Sequence, residues 1–122
     1  MVKALFDTNI LIDFLNGHEP AREEVRRYSE KAVSVITWIE VLAGATEQTE
    51  AACRTLLAVF ERLDLTASVA ERAITLRRQY RLKLPDAVIL ATAQIASSNL
   101  ITRNTRDFPA NSPGVRVPYT LN

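Results

Sequence analysis

The chain has one cysteine, Cys53, and one histidine, His18. A lone thiol builds no disulfide framework, and no His/Cys set is on hand to hold zinc. No apolar run approaches the ~20 residues that a membrane-spanning helix needs. Charge of one sign is missing too: 15 basic against 14 acidic side chains leave a formal +1, so any nucleic-acid or membrane contact must come from local patches. There is no internal repeat, linker or low-complexity segment. The start, Met1 to Asp7, is too short and too soon acidic for a secretory signal, so a soluble cytoplasmic protein is expected. What remains is an ordinary globular composition, 48% hydrophobic and 24% charged, over 122 residues. That length supports one domain, residues 1–122, with a real core.

The pattern is organised around Leu84 to Phe108. Leu84-Pro85-Asp86 opens a helix that is apolar nearly all round from Ala87 to Ala96, which requires burial on several sides. Pro85 suits its first turn, and Asp86 faces the positive end of the helix dipole. Leu100-Ile101-Thr102 follows as a short buried strand, with Arg103 to Asp107 as the polar loop at its carboxyl end. Upstream, Val2 to Phe6 reads as a central strand ending at Asp7, and Thr8 or Asn9 can cap a helix over Ile10 to Leu15. Pro20 starts a charged helix, roughly Ala21 to Ser29. Ala32 to Ile36 reads as a second strand, after which Thr37 caps a helix over Trp38 to Ala43 with Glu40 at capping-box spacing. Glu47 to Phe60 and Ala67 to Tyr80 are amphipathic helices, Leu63 to Leu65 a third strand and Val115 to Val117 a last one. Strands alternating with helices predict an α/β fold with a parallel sheet of four to five strands and helices on both faces.

In such a sheet the ligand site lies beyond the carboxyl ends of the strands. Asp7, Glu40 and Asp107 each lie past a strand, and Asp86 begins the helix leading into the Leu100 strand, so four acids converge at one edge. Taken singly, each acid is explained as a cap or a solvated charge, and Glu40 most fully so, as half of a capping box. Packed together, carboxylates repel and raise one another's pKa unless a cation neutralises them. Hard oxygen donors suit Mg²⁺ or Mn²⁺. Acids without a nucleophilic Ser, Cys or His point to phosphodiester hydrolysis by metal-activated water, with one ion or a pair about 3.5–4 Å apart.

The ordered set Phe6-Asp7-Thr8-Asn9, Thr37-Trp38-Ile39-Glu40-Val41-Leu42-Ala43-Gly44, Leu84-Pro85-Asp86-Ala87 and Leu100-Ile101-Thr102-Arg103-Asn104 through Asp107-Phe108 resembles PIN-domain ribonucleases, specifically the VapC toxins of VapBC toxin–antitoxin pairs. The resemblance runs through nearly the whole chain. It implies a metal-dependent endoribonuclease with Asp7, Glu40 and Asp86 as the metal-binding acids, Thr8 as a supporting hydroxyl, and a further acid after the Leu100 strand. Many members carry Asp where this chain has Asn104, so either Asp107 or Asn104 completes the site, and a weaker second metal site follows. The resemblance also implies a homodimer, an RNA substrate, and a VapB-type antitoxin whose tail blocks the acidic pocket, often with an arginine.

Arg77, Arg78, Arg81 and Lys83 crowd the approach to Asp86, either as a phosphate track or as a solvated helix face. Arg103 and Arg106, in the loop bearing Asn104 and Asp107, contact phosphate or steady the acids. Asp13 and Asp64 read as surface charges, Trp38 as packing. A receiver-like Mg²⁺-binding phosphoacceptor is the rival from another class. It wants an acidic pair after strand one and a late lysine, and this chain has a single Asp7 and no lysine after Lys83. A PIN module that only binds a partner is the third reading, kept open by Asn104.

Overall fold

The computed structural model describes residues 3–108 and 112–121. Its five strands are β1 (Ala4–Phe6), β2 (Lys31–Ser34), β3 (Glu61–Leu63), β4 (Asn99–Ile101) and β5 (Val115–Arg116). All pairings are parallel, in the order β3-β2-β1-β4-β5. The helices are α1 (Thr8–Leu15), α2 (Glu19–Arg26), α3 (Val35–Ala43), α4 (Glu50–Leu57), α5 (Ala67–Tyr80) and α6 (Leu84–Ile95). The expected α/β architecture is therefore present, with the sheet at the upper end of the expected strand count. Among the described residues, no helix is long and apolar enough to cross a membrane.

Alternation along β1 sends Leu5 to one side and Ala4 and Phe6 to the other, so each face of the sheet has its own core. One core gathers Leu5, Leu76, Ile89 and Leu100 beneath α5 and α6. The second gathers Phe6, Ile10, Val33, Phe60 and Ile101 beneath α1, α2 and α4. In this second core Phe6 meets Tyr28 and Phe60 edge-on, with centroids 5.8 and 5.4 Å apart. Every residue from Ala87 to Ala93 is buried, as an all-round apolar helix demands.

Boundaries differ from the sequence reading where tertiary contacts outrank propensity. Val35 and Ile36, β-branched and expected in the second strand, open α3 instead, because Ser34 turns the chain and caps the helix. The third strand lies at Glu61–Leu63 rather than Leu63 to Leu65, since backbone pairing to β2 sets the register of this edge strand. The helix expected over Glu47 to Phe60 is shorter, Glu50–Leu57. Val2, expected in the first strand, lies outside the described residues.

Candidate active site

β1 ends at Asp7, and the chain turns at once into α1. Asp7 Oδ1 accepts from the Thr8 backbone N–H at 2.7 Å and caps that helix, a role expected of Thr8 or Asn9. The register Phe6↔Ile101 sets Asp7 beside Thr102 just past β4, whose hydroxyl donates to Asp7 Oδ2 at 2.8 Å. The Asn9 amide donates to the same oxygen at 3.2 Å. Asp7 is only 4% exposed. Burial pushes its carboxyl above the ordinary range; the hydrogen bonds from Thr102 and Thr8 work against that shift, and the Glu40 charge adds to it.

With Asp7 as the cap, the Thr8 hydroxyl is free to reach across to α3. Its oxygen lies 2.6 Å from Glu40 Oε1 and 3.0 Å from Thr37 Oγ1. The expected capping box is absent. Ser34 caps α3 through Thr37 N at 3.2 Å, and Glu40 sits in the second turn with its carboxylate on Thr8. Local capping therefore does not account for Glu40, and the bland explanation that fitted it best falls away.

Asp86 stands in the first turn of α6. Its pKa is raised to about 6, chiefly by burial, then by the charges of Asp7, Asp107 and Glu40, with Lys83 partly opposing. One carboxyl that feels all three others brings the four acids into one neighbourhood. Asn104 Nδ2 donates to Asp107 Oδ2 at 2.9 Å, and the Asp107 N–H returns to Asn104 Oδ1 at 3.3 Å. Asn104 thus holds Asp107 in place.

Among the described residues, no three His, Cys, Asp or Glu side chains form a finished ligand set for one metal ion. The charge balance nevertheless suits a cation. None of Asp7, Glu40, Asp86 or Asp107 has a salt bridge among the described residues, and two of them are pushed toward protonation. Hard oxygen donors carrying uncompensated charge match the chemistry of Mg²⁺ or Mn²⁺.

Arg103 is engaged first with a protein carboxylate, through Nε and Nη2, and its side chain is 30% exposed. Its guanidinium grips Asp13, which is buried on α1 rather than a surface charge, and its backbone N–H donates to Asn9 Oδ1 at 3.3 Å. Arg106 is exposed. Arg77, Arg78, Arg81 and Lys83 are also exposed and line one shallow hollow with Ile74 and Leu82. Two side chains that support the site had no such role in the sequence reading: Thr102, read only as strand, and Asn9, read only as a candidate helix cap. The signal for Thr102 was a hydroxyl ending an otherwise apolar central strand.

The PIN domain family matches residues 4–111. Ribonuclease VapC19 of Mycobacterium tuberculosis is 33% identical over 125 residues, covering 94% of this chain and 98% of that protein. A toxin–antitoxin complex from Klebsiella pneumoniae contains a chain of the same fold, TM-score 0.91 at 47% identity, covering 98% of this chain and 100% of that one. DNA-bound VapBC from Salmonella typhimurium gives a TM-score of 0.80 at 25% identity, over 95% of this chain and 96% of the other. The chain belongs to the PIN-domain family, and within it to the VapC ribonucleases.

Proposed function

We propose that this chain is the endoribonuclease toxin of a two-protein toxin–antitoxin pair, hydrolysing RNA phosphodiester bonds with Mg²⁺ or Mn²⁺ held by Asp7, Glu40 and Asp86. The observation that carries this reading is Asp86, raised to about 6 beside three other carboxylates, with no salt bridge to any of the four among the described residues. The bound ion would supply a lower pKa for water and offset charge on the phosphate. The chain's own residues do the positioning. Thr102, Asn9 and the start of α1 fix both oxygens of Asp7, and the Thr8 hydroxyl aims Glu40. Asp107, tethered by Asn104, or Asn104 itself would complete the metal shell or orient water.

A purified Asp7→Asn or Asp86→Asn protein is expected to fold and to lose RNA cleavage in Mg²⁺ or Mn²⁺. Cleavage retained by a folded Asp7→Asn protein overturns the reading. The Klebsiella complex, at 47% identity, supports an antitoxin as partner, and the Salmonella VapBC structure, at 25%, supports one of VapB type. An antitoxin arginine fits the four acids because a guanidinium matches carboxylates bidentately. The pair works as a cytoplasmic assembly around a homodimer of this chain, and co-purification with the antitoxin followed by sizing measures both contacts.

A further inference from the structure

We propose that the cavity beside Asp107 is a subsite for one unpaired nucleobase of the RNA, an inference that rests on the ribonuclease reading and deepens it. The cavity, about 210 Å³, lies between the end of α5, α6 and β5. Leu90 and Val115 give it apolar walls, Tyr80 stands on its rim, and Asp107, Gln94 and Ser112 supply polar groups. It is smaller than the pockets of about 300–1,000 Å³ that enclose drug-sized ligands, so it takes a single heterocycle and not a longer stretch of chain.

The lining matches what a base offers, two apolar faces and a polar edge. Tyr80 is 58% exposed and forms no ring–ring contact among the described residues, which leaves its face open for stacking. Gln94 Oε1 accepts from Arg72 Nε at 2.7 Å, and among the described residues its NH₂ group has no acceptor, so it can donate to a base. Asp107 Oδ2 accepts from Asn104, and among the described residues Oδ1 has no donor, so it can accept from a base N–H. Position completes the argument. Asp107 is the wall shared with the acid cluster, and Leu82 is the wall shared with the hollow of Arg77, Arg78, Arg81 and Lys83. A nucleotide next to the scissile phosphate would thus seat its base between the acids and the cations.

The test uses the full chain, labelled with ¹⁵N and titrated with the four nucleoside 5′-monophosphates, with inorganic phosphate and indole as controls. Nucleotides are expected to shift the amides of Leu90, Gln94 and Val115. Tyr80→Ala should weaken that response about 5- to 100-fold, the loss of one stacked base. Val115→Phe, which fills the cavity, should abolish it while leaving shifts at Arg81 and Lys83. Inorganic phosphate shifting the same amides as strongly would reduce the effect to charge. Indole binding as well as nucleotides would mark a generic apolar hole, suited to a peptide side chain, and either result overturns the proposal. So does an unchanged response in Tyr80→Ala. The readout needs no cleavage: RNA cutting with a silent cavity defeats the subsite alone, and nucleotide seated in a chain that cuts no RNA defeats the ribonuclease reading alone.

Discussion

Arg103 and Asp13, 90 residues apart in sequence, form a bidentate ion pair, Nε to one carboxylate oxygen at 2.6 Å and Nη2 to the other at 3.0 Å. Tyr119 donates its hydroxyl to the same carboxylate at 2.8 Å, and its ring lies 4.9 Å from that of His18. The pair latches the loop carrying Asn104 and Asp107 onto α1, the helix that Asp7 caps. Burial opposes the Asp13 charge, but the hydrogen bonds from Arg103 and Tyr119 outweigh it and hold the carboxyl below the usual range. A depressed carboxyl stabilises the fold above its unfolded pKa, and that contribution is lost as pH falls below about 4. Asp13→Ala is expected to cost about 2–4 kcal/mol, discounted because Arg103 is partly exposed, and to lower Tm by several degrees. Denaturant and thermal melts measure it; a loss under about 0.5 kcal/mol, the range of ordinary surface changes, would show the latch to be idle.

Asp86 has the opposite sign. Its pKa is raised from 3.8 to about 6, so the native state binds the proton more tightly than the unfolded chain. Stability of the metal-free protein therefore falls as pH rises from about 4 to about 6, and the contribution is gone above that. Asp86→Asn should flatten this part of the pH–stability curve and leave the protein at least as stable at pH 7, although inactive. Paired melts of the two proteins from pH 4 to pH 8 in chelator check the sign.

Thr8→Val removes the hydroxyl that lies 2.6 Å from Glu40 and keeps the shape of the side chain. The expected result is a loss of activity of about 10- to 100-fold, the usual effect of removing a group that orients a ligand. Thr8→Ser should recover most of it, since only the methyl is lost. Cleavage rates for the three proteins under one metal concentration decide the matter.

Arg81 ends α5 in the left-handed region, φ 55° and ψ 37°, where a side chain costs energy. Its guanidinium stands exposed in the cationic hollow. Arg81→Gly should stabilise the fold by about 0.5–1 kcal/mol while weakening RNA binding. The salt dependence of binding should lose about one unit of slope, as for one phosphate contact. Melting curves and binding isotherms at several salt concentrations report the two effects separately.

Much of the α/β plan was legible without coordinates. Apolar runs alternating with amphipathic stretches require buried parallel strands, and the all-round apolar run from Ala87 to Ala96 requires a central helix. The same logic pointed Asp7, Glu40, Asp86 and Asp107 toward one sheet edge, because strand direction fixes which end of each strand a following residue occupies. Local pattern could not decide between equivalent partners. Asp7, Thr8 and Asn9 can each cap a helix, and only the placement of Thr102 beside Asp7 and of Glu40 beside Thr8 assigned their roles. Asp13 looked like a surface charge because its partners, Arg103 and Tyr119, lie 90 and 106 residues away. Periodicity tells a chain which face to bury; which charges meet across that burial depends on contacts distant in sequence, and those exist only once the chain has folded.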